Sequence, residues 1–497
     1  PAWRFLASLP DQGRIEVEGT GFFTDRRAIV QSIAGNRIEM KQPGWRNNLI
    51  GYDTLPKTIA GKKGRLFFVN SLAFLRDPGQ WFVDPVAGKV FYKPRLGEDI
   101  SQVEAVLPRL DALVSIGGTY DQPVTDLHFV GLGFAYTSWR GASGAEGYAS
   151  QQSGSYLAGE IPNYPADPIR DCSWGCWAFE TMRNRWRQQP AAVQIAAAVR
   201  VVFEQADFSH LGQIALGIGN NPEANASGIG YGVAGVEVRR SHFSDLAGGA
   251  VMVGGITPDA HHPPRSEMGV RNVVIADNRI ETVSQDYKEQ AAILVTYAAG
   301  TIITHNDVSG APYDGIDVGW GWGVNDPGGS GAYRSRTRGY YDQPGNKVYD
   351  TPTILRDTVV VGNRVHRVKT WFEDGGAIYH LSADPGALIA DNYVYDVKGA
   401  IGLYLDEGSR YVTLRSNVVD GAGTWLNANT MDSYLPHRTT TDNSAIGNWY
   451  NGGRLNGSWN SYMNNTLIDN VKVEGDVWPN AARTVMDRAG PTSQAKP

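Results

Sequence analysis

The chain has 497 residues, a formal net charge of −6, and 19% charged residues beside 59 glycines. This balance excludes a basic surface for nucleic acid or anionic lipid, and no apolar run approaches the ~20 residues of a membrane span. Aromatic residues are plentiful, with 14 Trp and 23 Tyr, enough to furnish both a core and the flat faces on which sugars bind.

Residues 1–120 carry no repeat and read as β-hairpins. Trp81 to Tyr92 offers two alternating apolar strands around a Pro/Gly turn, and Ile15–Val17 and Ile38–Met40 read similarly. The expectation is a β-rich, sandwich-like accessory module. From Val124 a short pattern begins: an apolar residue, two positions, Asn or a small residue, one position, then an aliphatic or aromatic. It reads Ile275–Asn278–Ile280, Ile303–Asn306–Val308, Val360–Asn363–Val365, Ile389–Asn392–Val394 and Leu414–Asn417–Val419. Looser copies are Phe129–Leu132–Phe134, one ending at Phe208, Val238–Ser241–Phe243, and Asn448–Tyr450. Steps between the Asn positions are 28, 57, 29, 25 and 31 residues; the 57 is two turns, or one turn carrying a long loop. A period of this length with β-branched alternation marks an all-β fold, a parallel β-helix, over residues 121–480. The Asn residues are expected at corners, adopting the left-handed conformation and bonding the Asn of neighbouring turns. They are scaffold.

Two interruptions, residues 140–190 and 321–356, are long for a compact repeat and point to functional loops. The first carries Trp174, Trp177 and Trp186. It also holds Cys172 and Cys176, which form either a small loop disulfide or two free thiols. No metal site is expected, since nothing completes a four-ligand set around the cysteines; a structural Ca²⁺ stays open, and no cofactor is called for. Residues 481–497 read as a frayed tail. The chain begins at Pro1 with neither Met nor a secretory segment, as a processed or truncated chain would, and a secreted or periplasmic location is expected. Oligomeric state is not encoded in any motif.

Polar chemistry concentrates in three successive turns: Gly315 to Gly323, Phe372 to Ser382 and Gly402 to Ser409. Aligning their strands places Gly319, His380 and Asp406 in one column, with Asp317, Ile378 and Tyr404 two residues earlier. Gly319 beneath His380 would leave room for a ligand. Cleavage of a glycosidic bond needs two carboxyl groups flanking it, and the candidates are Asp317, Glu373, Asp374, Asp406 and Glu407. Trp320 and Trp322 are candidate sugar platforms.

The segments V-G-W-G-W-G, D-G-G-A-I-Y-H-L-S-A-D-P-G with A-D-N-Y-V-Y-D-V, and L-Y-L-D-E-G-S resemble those of the β-helical glycoside hydrolases of family 141. Q-P-G-W (Gln42 to Trp45), D-P-G-Q-W-F-V-D (Asp77 to Asp84) and Phe129 to Trp139 are similar to the same group. The resemblance implies a right-handed parallel β-helix with an accessory β-sandwich, acting on plant cell-wall glycans as an α-L-fucosidase or xylanase. It implies that Asp374 and Asp406 are the acidic pair, with Tyr379, His380, Tyr404 and Glu407 orienting them or the sugar. Asp317 is the reserve carboxylate; Trp320, Trp322, Trp174 and Trp177 supply the aromatic floor. On a straight strand Asp374 would lie roughly 20 Å from the column of Asp406. Glu373–Gly376 must therefore turn a corner, which its two glycines make cheap. Two rival readings use the same scaffold: a polysaccharide lyase, with Lys369, Lys398 or Arg410 as base, and a non-catalytic glycan-binding adhesin or tailspike.

Overall fold

The computed structural model describes residues 3–60, 64–220, 231–334, 339–430 and 439–492. Three long parallel sheets, of 10, 11 and 10 strands, wind around one continuous apolar core. Each strand pairs in parallel with the strand one turn away, as Ile316–Val318 does with Ile293–Val295 and Ile378–His380. The fold is a parallel β-helix.

The repeat explains itself in this geometry. Its first apolar residue enters the second sheet, where Ile275, Ile303, Val360, Ile389 and Leu414 stack in register. Its last enters the third sheet, where Ile280, Val308, Val365, Val394 and Val419 do the same. Both columns are buried. The Asn between them sits at the corner, but the left-handed residue is the one before it: Asp277, His305, Gly362, Asp391 and Ser416 have φ of 57°, 54°, 69°, 53° and 53°. This corrects the expectation that the Asn itself takes that conformation. The Asn is freed to bond along the stack instead. Asn306 Oδ1 accepts from the backbone N and Nδ2 of Asn278 at 3.1 and 2.9 Å, while Asn306 Nδ2 donates to Asn363 Oδ1 at 2.9 Å. The ladder continues through Asn392, Asn417 and Asn448 to Asn470. Direct bonding of Asn306 to Asn363 resolves the 57-residue step as one turn with a long loop.

The coil takes its first strands from Val114–Gly117 and Val124–Val130, which pair with Ala191–Ala196 and Ala198–Glu204. The N-terminal part forms a seven-stranded antiparallel sheet. Three of those strands, Tyr148–Gln152, Ser155–Leu157 and Arg187–Gln188, come from the segment that interrupts the repeat. Ala149 pairs with Arg26 of the strand Asp25–Ala34, so the interruption is woven into the N-terminal sheet. Cys172 and Cys176 form a disulfide. Within the presumed tail, Asn480–Arg488 is a helix that buries Ala482 and Val485 beside Val418 and Trp478. Among the described residues no helix is long and apolar enough to cross a membrane.

Candidate active site

Register decides which side chains reach the surface of the first sheet. Asp317, Tyr379, Tyr404 and Asn427 share one outward column, and Val318, His380, Leu405 and Ala428 share the next, which points inward. The expected column of Gly319, His380 and Asp406 is therefore off by one residue. That column sets Gly376 level with Gly315 and Gly402; in the structure Gly376 belongs to the corner before the strand, and Ala377 takes that level. A one-residue slip transfers every side chain to the opposite face. His380 thus lies inside the coil, with Nδ1 3.1 Å from Ser409 Oγ and Nε2 3.5 Å from Asp384 Oδ2. Gly319 makes no room for a ligand: a Cβ there would lie 1.8 Å from the Leu381 carbonyl oxygen, so its hydrogen side chain serves close chain packing.

The corner itself forms as the sequence requires. Gly375 has φ +88° and lies flat on Asp314, whose Oδ1 would be 2.3 Å from any Cβ. Gly376 abuts Tyr404 at similarly close range. The chain from Glu373 is thereby folded over the sheet, and Asp374 arrives beside Tyr379, Tyr404 and Asp406. These four line one cleft of about 160 Å³ with Glu407, Asn429, Trp322 and Tyr333.

Asp406 is held from three directions. Tyr379 Oη donates to its Oδ2, while Tyr404 Oη and Asn429 Nδ2 donate to Oδ1 at 3.1 and 2.7 Å. Asp374 has a different environment: among the described residues its Oδ1 accepts from the next backbone N–H alone, that of Gly375, at 2.8 Å. Burial, and then the negative charge of Asp406, push the Asp374 carboxyl up to about 7. Burial and the same charge also push the Tyr379 and Tyr404 hydroxyls upward, so both remain donors. Two carboxyl groups in one cleft, one of them with a raised proton affinity, are the equipment for acid–base cleavage of a glycosidic bond.

The opposite wall comes from the N-terminal sheet and its inserted segment: Phe23, Tyr52, Gln151, Gln152, Phe179, Arg183 and Trp186. Most of these were invisible to motif reading, because none lies near the carboxylates in sequence. Arg183 is paired with Glu180, and its guanidinium lies 5.0 Å from the Trp322 ring centroid and 4.8 Å from that of Tyr333. Glu180 also accepts from Tyr52 Oη at 2.5 Å.

The remaining sequence candidates lie elsewhere. Trp320 is buried in the coil core, 5.1 Å from the ring of Trp322. Glu373 is exposed outside the cleft lining. Asp317 is buried beneath the corner, accepting from Ser153 Oγ at 3.1 Å. Trp174, 74% exposed, and Trp177 stand outside the cleft on the disulfide loop, where Gly175 packs on the ring of cleft residue Tyr52. Of the lyase bases, Lys369 is buried against Asp314, Arg410 pairs with Asp326, and Lys398 is exposed away from the cleft lining. Among the described residues no cluster of three or more His, Cys, Asp or Glu is arranged to hold a metal ion.

No family model and no curated protein matches the chain. Among solved structures it is similar to one described as a glycoside hydrolase, with a TM-score of 0.66 and 20% identity over 100% of this chain and 74% of that one. Two weaker similarities are to XylC in complex with xylose (TM-score 0.44, 10% identity, 93% of this chain and 75% of that one) and to PfbA, a surface adhesin of Streptococcus pneumoniae (TM-score 0.34, 12% identity, 75% and 77%). At these identities the likeness concerns the fold.

Proposed function

We propose that the protein is a glycoside hydrolase in which Asp374 is the general acid and Asp406 the base or nucleophile. The observation that carries this reading is the meeting of two carboxyls with different hydrogen-bond surroundings in one aromatic-walled cleft. Asp374, holding its proton up to about 7, donates it to the departing glycosidic oxygen. Asp406, oriented by Tyr379, Tyr404 and Asn429, acts at the anomeric carbon, directly or through a water. Glu407 and Gln152 line the same cleft and are placed to bond sugar hydroxyls; Trp322, Phe179 and Trp186 offer ring faces. The name of the similar glycoside hydrolase agrees with this reading.

The finer substrate reading is a plant cell-wall or related glycan, with α-L-fucosidase-like or xylanase-like activity, as the motif resemblance implies. Trp174 and Trp177 then serve sugar units outside the cleft. The disulfide favours an oxidising compartment, in keeping with a secreted or periplasmic enzyme. A lyase would need a cationic or metal-assisted base at the cleft, and the one cation lining it among the described residues, Arg183, is committed to Glu180.

The test is release of sugars from fucosylated pectin fragments and xylans by the wild-type chain and by Asp406→Asn. The reading expects new reducing ends with the wild type and none above background with the variant. An active Asn variant ends the assignment, and an unsaturated, ultraviolet-absorbing product replaces it with a lyase.

A further inference from the structure

We infer that Lys369, Asp314 and Asp317 form a buried cluster sharing one extra proton, and that this cluster is the positioning device for the corner that carries Asp374. The inference rests on the hydrolase reading for its catalytic meaning, but its geometry stands apart from it. Lys369 and Asp314 have no exposed side-chain surface and meet at 2.8 Å. The same ammonium donates to the backbone carbonyl of Asp374 and lies 4.1 Å from the Tyr313 ring centroid. Asp314 in turn underlies Gly375. The backbone of Asp374 and the glycine that follows it are thus seated on one ion pair.

Asp317 completes the cluster. Burial pushes its carboxyl upward, and that of Asp314 lies close enough for its charge to push it further. Each leaves one buried oxygen without a partner among the described residues, Asp314 Oδ2 and Asp317 Oδ1. Two carboxylate oxygens repel; they bond only with a proton between them. One ammonium, one carboxylate and one carboxylic acid sum to zero charge, the state a dry site tolerates. The cluster also joins the two parts of the fold, because Ser153 Oγ donates to Asp317 and Gln152 Nε2 donates to Tyr313 Oη at 2.7 Å. Both residues sit at the turn between Tyr148–Gln152 and Ser155–Leu157, and Gln152 lines the cleft. Asp317 is accordingly a positioning residue that stays protonated, and the reserve carboxylate of the sequence has no chemical step to perform.

Two variants test this. Asp317→Asn keeps a donor where the acid proton was. Expected is an infrared difference spectrum near neutral pH that loses one protonated-carboxyl band. An unchanged band overturns the shared proton. Lys369→Met alone strands the Asp314 charge in a dry site and risks unfolding, so the second variant is the neutral pair Lys369→Met with Asp314→Asn. It is expected to fold, to lose about 100-fold in kcat with little change in KM, and to exchange its Gly375 and Gly376 amides faster than wild type. The groups facing Asp374 are Asp406, Lys369, Asp314 and the hydroxyls of Tyr313, Tyr379 and Tyr404; the pair variant removes one cation and one anion together, so the alkaline limb, still set by burial and Asp406, stays near its wild-type position. Wild-type kcat and amide protection in the pair variant overturn the positioning role. If the wild-type chain cleaves no glycan, the hydrolase reading fails, while the infrared band and the amide exchange still decide the cluster.

Discussion

The asparagine corner and the cleft both bury columns of polar side chains along the same coil, yet they solve the problem in opposite ways. At the corner each Asn is satisfied by an identical neighbour one turn away, so every donor and acceptor is matched by repetition. At the cleft the outward column changes residue at each turn, Asp317, Tyr379, Tyr404 and Asn427, and satisfaction comes from segments distant in sequence, such as Ser153 to Asp317. Repetition yields a scaffold whose polar groups have no capacity left over. Broken repetition leaves a carboxyl such as Asp374 with one local hydrogen bond and a raised proton affinity, which is where chemistry is expected.

Substitutions on the two sides of this comparison should fail differently. The largest effect is expected from the acids: Asp406→Asn and Asp374→Asn should each lower kcat about 100- to 10,000-fold while both variants stay folded, as checked by steady-state rates and calorimetry. In the ladder, Asn363→Ala removes the partner of Asn306 and of Asn392. It should cost about 2–4 kcal/mol of stability, measured by denaturant unfolding, while kcat of the folded fraction stays unchanged. A ladder variant that lost kcat without losing stability would erase the distinction.

The pH dependence sharpens the same contrast. The Asp374 carboxyl, pushed up to about 7 by burial and by Asp406, must hold its proton to act as acid, so kcat/KM should fall as pH rises through about 7. Its folded-state affinity lies above the unfolded value, so the stability it contributes is full at low pH and is lost as pH rises toward that same value. Asp374→Asn removes this loss and should raise the thermal midpoint above wild type in mildly alkaline buffer. The smallest effect is expected at the aromatic wall. Trp322→Ala should raise KM by roughly fivefold, the loss of about 1 kcal/mol of ring contact, with kcat nearly unchanged.

How much of this was legible in the sequence follows the same division. The coil and its corners were readable because apolar residues and Asn recur at a fixed offset, and even the left-handed residue is displaced by only one position, from Asn278 to Asp277. Motifs at three turns named Asp374, Asp406, Tyr379 and Tyr404, which the structure gathers in one cleft. Matching glycines misplaced His380 and Gly319, since Gly376 serves the corner and a local alignment has no means of distinguishing the two uses of glycine. The second wall was illegible. Gln151 and Gln152 reach the cleft on a strand paired antiparallel with one more than 100 residues earlier, and Trp186 precedes a strand paired antiparallel with Ser155–Leu157; such pairing leaves no periodic trace.

The measurement closest to the central claim is a carbon-13 titration of the Asp374 carboxyl in the wild type and in Asp406→Asn. A pair facing one cleft predicts a midpoint near 7 in the wild type and a clear downward move once the Asp406 charge is gone. A wild-type midpoint in the ordinary aspartate range, or one indifferent to residue 406, would contradict the pairing of these two carboxyls.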